Sequence, residues 1–166
     1  MYSTLKKHIR PVLTTATADF ALFQDKLGGR MGPKLQSEII SALLENAMVK
    51  HIPNCRGGAG DHEADVYIRN VPLELKTSRA SREWRGGEFS KRSGDFLLVS
   101  WNVTDSLVWN AIHVQLQSSD WKSAQSANYY ATAIDLDTVL SLGGKVLVGD
   151  VRTAKIRKHP IYESVG

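Results

Sequence analysis

The chain is short of everything that staples or anchors a protein. Its 166 residues contain a single cysteine, Cys55, which excludes an intrachain disulfide framework and a multi-cysteine zinc site and fits a reducing compartment. Cys55 reads as an ordinary small residue. No apolar run approaches the roughly eighteen residues that suggest a membrane span, and Met1-Tyr2-Ser3-Thr4-Leu5-Lys6-Lys7 lacks the apolar core of a signal peptide. The expectation is a soluble, cytoplasmic protein with no membrane partner. Internal repeats and low-complexity tracts are missing as well. With 42% hydrophobic residues the chain is long enough for one domain around a single core, and a second domain is not expected.

What is present is positive charge, unevenly spread. The net charge is only +4, yet residues 76–92 hold six bases (Lys76, Arg79, Arg82, Arg85, Lys91 and Arg92) against Glu83 and Glu88. A basic tail over residues 152–166 opens with Arg152, Lys155, Arg157 and Lys158 and no acid among them. Two such segments point to a polyanion such as nucleic acid. The competing reading is a solvated basic surface.

Along the chain, residues 1–12 read as a basic, loosely organised segment that Pro11 interrupts. Asp19 is placed to cap a short helix carrying Phe20, Phe23 and Leu27, which Gly28-Gly29 would end. A better helix starts at Pro33, with Leu35, Ile39, Leu43 and Ala47 as its apolar stripe, Ile40 and Leu44 beside it, and Glu38, Ser41 and Glu45 on the other side. Residues 53–60 read as a loop, and the stretch after Lys76 as loop or short helix. Alternation predicts strands over 96–103 and 107–116 with a turn at 104–106, helix or loop over 118–128, a strand over 129–134, a brief helix capped by Asp135 or Asp137, and a last strand over 145–151. That order predicts an α/β (α+β) domain with a central mixed sheet flanked by helices.

The most informative segment lies in the middle. Val66 and Ile68 alternate with Asp65 and Tyr67, while Leu73 and Leu75 alternate with Glu74 and Lys76. A reversal about Arg69-Asn70 pairs Ile68 with Val71 and Val66 with Leu73, and so sets Asp65 opposite Glu74 at roughly 5 Å between Cβ atoms. Like charges facing each other across a sheet are unfavourable unless a cation lies between them. Mg²⁺, which takes oxygen ligands and keeps several waters, suits two carboxylates without a Cys or His cluster. The structural alternative is a surface hairpin with a Glu-Lys pair.

An acid on one strand, an acid-X-Lys on the next and an acidic helix upstream make the chain similar to the PD-(D/E)XK nuclease superfamily, whose best-known members are type II restriction endonucleases. The resemblance covers the helix from Lys34 through the strands to about Leu116, with Ala64 in place of the proline before Asp65. It implies a catalytic set of Asp65, Glu74 and Lys76 joined by Glu38, with one or two Mg²⁺ held by Asp65, Glu74 and the backbone carbonyl of Leu75. Phosphodiester hydrolysis needs a nucleophilic water, stabilisation of transition-state charge and help for the leaving oxygen. Lys76, on the same strand face as Glu74, is suited either to orienting or deprotonating the water or to supporting charge on the phosphate. Asp61, His62 and Glu63 are further candidates for the site; for both acids the alternative is a solvated loop acid.

Thr77, Ser78, Arg79, Arg82, Arg85, Lys91 and Arg92 are the expected DNA contacts, since guanidinium forks suit phosphate and guanine and Lys91 and Arg92 suit phosphate positioning. Trp84 reads as an anchor tying that segment to the core rather than a stacking residue. His113, Trp101 and Trp109 read as packing or interface residues, and Tyr129 and Tyr130 as core or dimer contacts. The leading expectation is a Mg²⁺-dependent restriction-type endonuclease acting on double-stranded DNA as a homodimer, because two sites related by a two-fold axis cut both strands of a palindrome. Its competitors are a junction resolvase or repair nuclease of the same superfamily and a DNA-binding module without catalysis.

Overall fold

The structure is a computed structural model and describes residues 1–60, 62–80, 82–87, 93–102, 107–126 and 129–149. Asp61, Lys91, Arg92, the turn at 104–106 and the basic tail lie outside the described residues, as do the side chains of Trp109, Tyr129 and Tyr130.

The chain begins with one continuous helix, α1 (Tyr2–Leu27), not a loose segment followed by a short capped helix. Pro11 lies inside it and is exposed. An interior proline costs about 3 kcal/mol. Leu5, Ile9, Val12, Leu13, Ala16 and Phe20 form one unbroken helical stripe that is buried from end to end, and burial at about 1.5–3 kcal/mol for each large side chain outweighs that cost. The stop at Gly28 is as expected, with φ of 52°.

Helix α2 (Pro33–His51) starts at its proline but buries a different stripe. Ile40, Leu44, Ala47 and Met48 are buried, whereas Leu35 is 42% exposed. The helix is therefore rolled towards its Ser41 and Glu45 side. The 53–60 loop contains a short strand, β1 (Cys55–Gly57), which pairs antiparallel with β2 (Val66–Ile68). β2 turns into β3 (Val71–Ser78) with Ile68 opposite Val71 and Val66 opposite Leu73. Arg69 and Asn70 both have positive φ, 51° and 65°, which matches the two-residue type I′ turn whose twist suits a hairpin.

After β3 the chain forms β4 (Glu83–Gly87), a strand where loop or helix was expected, then β5 (Gly94–Asn102) and β6 (Leu107–Leu116). Residues 118–128, read as helix or loop, contain one 3-10 turn (Ser118–Asp120) followed by strand β7 (Lys122–Ser126). β8 (Tyr129–Asp135), helix α3 (Leu136–Ser141) and β9 (Lys145–Val148) follow. Asp135 caps α3 by accepting from the Thr138 N–H at 2.7 Å. β4 and β7 are strands because β8 gives each a partner; short segments without a strong apolar pattern become strands when a ladder is available.

The main sheet has the order β1-β2-β3-β5-β6-β9, mixed because β3 and β5 run parallel while the other pairs are antiparallel; β4-β8-β7 form a second small sheet. The fold is thus α+β around a central mixed sheet. One face, with Leu73, Leu75, Leu97 and Val99, packs on α1 and α2. The other, with Phe96, Leu98, Ile112 and Val114, is covered by Trp84, Trp121, Ile134 and α3. Trp84 is fully buried, so it is the anchor that the sequence suggested. Among the described residues no helix is long and apolar enough to cross a membrane.

Candidate active site

The type I′ hairpin fixes the relation of the central carboxylates. Its ladder ends at the pair Val66–Leu73, with Asp65 and Glu74 the next residue on each side. The β2 backbone leaves the ladder there, and the Asp65 side chain takes its place: Oδ2 accepts the Leu75 N–H at 2.6 Å. A bond to a strand N–H lies near the plane of the sheet, so this carboxylate sits at the junction between the two sheet faces. Glu74 and Lys76 share one strand face, with Lys76 Nζ 3.9 Å from Glu74 Oε2 and the two side chains 21% and 12% exposed.

The acid that α2 supplies is Glu45, not Glu38. Glu38 is exposed and 3.9 Å from Lys34, also on the surface. The Ser41 and Thr77 hydroxyls are 3.1 Å apart, which sets α2 along β3. From that point, one helical turn of about 6 Å spans two strand residues of about 3.3 Å each and brings Glu45 level with Leu75. Glu38 lies two turns before Glu45, about 10 Å up the axis. Glu45 is half-buried, and its carboxyl is pushed up from 4.5 to about 7, first by desolvation and then by the charges of Asp65 and Glu74, with Lys76 acting in the opposite sense. Three carboxylates and one ammonium therefore share one electrostatic neighbourhood.

The segment leading into Asp65 is held by several contacts. Gly58 N–H donates to the Asp65 carbonyl at 3.0 Å, and a Cβ on Gly58 would stand 2.2 Å from the Ala64 carbonyl oxygen, so only glycine fits without a shift. Glu63 accepts from the Ala59 N–H at 2.9 Å and from Arg56 at 3.3 Å. Those bonds, the Ala59 one foremost, hold its carboxyl below the usual range. Glu63 thus ties its loop together. Arg56 also lies over the Tyr67 ring, 3.9 Å from the centroid, and the Tyr67 hydroxyl accepts the Ala64 N–H at 3.3 Å. His62 is exposed on the rim of an open cleft of about 320 Å³, which has Tyr67, Pro72 and Glu74 among its walls.

The residues read as DNA contacts are dispersed in their roles. Thr77 faces α2 through Ser41, and Ser78 Oγ accepts the Ala80 N–H at 3.0 Å, so both hydroxyls serve the fold. Arg82 pairs with Asp137 at 3.0 Å and Arg85 with Glu83 at 2.6 Å, all on the surface. Arg79 lies beyond the main body of β3, at the surface after Ser78. His113 is buried and lies 2.6 Å from Asp95, a packed histidine as expected.

Among the described residues no three Asp, Glu, His or Cys side chains are gathered tightly enough to enclose an ion unaided. The donor chemistry nevertheless fits Mg²⁺, which takes one or two carboxylates and completes its shell with water. The Glu45 carboxyl is raised first by burial and then by the charges of Asp65 and Glu74, and a divalent ion would relieve the second of these. Sequence reasoning placed Glu38 at the site, whereas the structure leaves Glu38 exposed beside Lys34 and sets the half-buried Glu45 near Asp65, Glu74 and Lys76. No family model matches the chain, and no curated protein matches it.

Proposed function

We propose that the chain is a Mg²⁺-dependent endodeoxyribonuclease of the PD-(D/E)XK type, hydrolysing phosphodiester bonds of double-stranded DNA at a short specific site. One observation carries this reading: Glu45 of α2, Asp65 just before β2 and Glu74 of β3 load one locality with negative charge beside the Lys76 ammonium. A purely structural hairpin gains nothing from that repulsion. Asp65 and Glu74 would hold the ion, which when bound supplies Lewis-acid stabilisation of the phosphate and a more acidic water.

The protein's own groups divide the remaining work. The Leu75 N–H fixes Asp65 through Oδ2 and leaves Oδ1 outside that bond. Lys76, restrained by Glu74, presents a donor to a phosphate oxygen or to the attacking water. Glu45 titrates near neutrality, the range in which a carboxylate both accepts and returns a proton efficiently. Arg79, with Lys91, Arg92 and the basic tail, supplies phosphate contacts, and a homodimer pairs two sites across a duplex.

A second reading, a junction resolvase or repair nuclease of the same superfamily, draws support from Arg82 and Arg85, whose guanidinium groups are already engaged by acids and are thereby less available to read bases. Incubation with supercoiled plasmid and Mg²⁺, followed by sequencing of the fragment ends, separates the cases. Discrete ends at one short sequence support the first reading. Intact plasmid with cleavage confined to branched DNA supports the second. If neither is cut and DNA binding is indifferent to Mg²⁺ and to Asp65→Ala, the chain is a binding module.

A further inference from the structure

A phosphodiester seated at Glu74 and Lys76 needs room for the nucleoside unit on each side of it, and the two sides differ. Glu74 and Lys76 lie abreast of Phe96 and Leu98 on the adjoining strand. Towards Lys76, that face of the sheet is filled: Phe96 packs against Trp121 with ring centroids 5.5 Å apart, and Leu98 and Ile112 lie beneath Trp84 and Ile134. In the opposite direction, two residues back along β3 and about 6–7 Å away, the pairing of β1, β2 and β3 sets Arg56, Tyr67 and Pro72 side by side, and Gly94, just before the Asp95 that pairs with Leu73, lines the same cleft.

That row is hollow. Gly94 has no side chain to fill its place, and its φ of 142° disfavours any other residue there. The result is the open cleft of about 320 Å³, floored and walled by Tyr67, Pro72 and Gly94, rimmed by His62 and Ser93, and bounded at one end by Glu74. Such a volume is at the small end of ligand pockets, which run from about 300 to 1,000 Å³. Asp95 also lines it, but its carboxylate is engaged by His113. The Tyr67 wall is set in advance, held by Arg56 on its ring and by the Ala64 N–H on its hydroxyl, so little ordering cost falls on a ligand.

We propose that this cleft is a single-nucleotide subsite that takes the sugar and base adjoining the phosphate held at Asp65, Glu74 and Lys76. The assignment rests on the nuclease reading for what lies next to it, and on the cleft's own shape for what lies within it. A base turned out of the duplex stack, with its deoxyribose, meets flat surfaces of Tyr67 and Pro72, the kind of sequence-tolerant platform on which unstacked bases rest. His62 and Ser93 offer polar groups at the rim.

The experiment is an NMR titration of the full chain with thymidine 5′-monophosphate in Mg²⁺, with inorganic phosphate as the parallel probe. The expected result is saturable shifts at His62, Tyr67, Ser93 and Gly94 with the nucleotide and none of comparable size with phosphate. Pro72→Trp, which sets an indole over Gly94 from an exposed strand position, should weaken that binding at least tenfold; His62→Trp fills the cleft from the loop side if the first variant does not fold. Nucleotide shifts that are absent or lie elsewhere, equal shifts with phosphate, or unaltered affinity in the folded filled variant would overturn the subsite. Plasmid cleavage is scored separately: nucleotide bound in the cleft without DNA cutting rejects the nuclease reading and keeps the subsite.

Discussion

Replacing Glu45 with glutamine removes a charge that the fold tolerates at a cost, and the cost depends on pH in a defined direction. The carboxyl titrates at 4.5 when unperturbed and at about 7 in the folded chain. Below 4.5 both states keep the proton and the group contributes nothing. Between the two values the unfolded chain releases the proton while the folded chain retains it, so stability falls as pH rises, and above 7 the full penalty applies. At 1.36 kcal/mol per pH unit the ceiling is about 3 kcal/mol; half-exposure of the group reduces this to about 1–2 kcal/mol. Glu45→Gln should therefore melt about 2–6 °C above the parent at pH 8.5 and within about 1 °C of it at pH 4.5, by thermal unfolding followed by circular dichroism. Added Mg²⁺ should narrow the difference at pH 8.5, because an ion at the site offsets the same repulsion. Equal melting of the two proteins at both pH values would refute the account of Glu45 as a carboxyl raised by burial and by the nearby charges of Asp65 and Glu74.

In plasmid nicking with Mg²⁺, Asp65→Asn, Glu74→Gln and Lys76→Ala should each lower the rate by about a hundredfold or more, whereas Glu38→Gln should stay within about twofold because its side chain faces solvent; a large loss in Glu38→Gln would reverse the assignment of the helix acid. Gly58→Ala drives a methyl into the Ala64 carbonyl, and a cost of about 1–3 kcal/mol in urea unfolding is expected with a matching loss of nicking, since Asp65 moves with that backbone. The double substitution Arg69→Asn with Asn70→Gly supplies residues that accept the positive φ now imposed at both turn positions and should raise stability by about 0.5–1 kcal/mol in the same assay. Trp84→Ala empties the centre of the second core and should cost about 3–5 kcal/mol; a loss under 1 kcal/mol would mean that the small sheet does not bear on the main one.

The parts of the structure legible in the sequence are those with a local physical signature. Alternation over residues 64–76 and a reversal about Arg69-Asn70 gave the hairpin register from Ile68–Val71 to Val66–Leu73, but not the turn of Asp65 into the sheet plane, where its side chain takes the Leu75 N–H instead of facing Glu74 squarely. The cap of α3 was readable to within two candidates, Asp135 or Asp137, because capping is settled within three residues, and the structure selects Asp135. Decisions made at a distance were not readable. Pro11 lies within α1 because six apolar residues find a sheet and a helix to cover, and β4 and β7 exist because β8 stands between them. The choice between Glu38 and Glu45 turned on how far α2 extends past β3, which no periodicity within α2 encodes.

Strands are indexed to one another by their backbone ladders, but a helix resting on a sheet has no such ruler and is free to slide on its greasy underside. The meeting of the Ser41 and Thr77 hydroxyls supplies a reference mark for that slide. Loosening this latch, as in Ser41→Ala, would leave the buried Ile40, Leu44, Ala47 and Met48 to set the position of α2, and the spacing of Glu45 from Asp65, Glu74 and Lys76 would be held less closely while the fold itself survived.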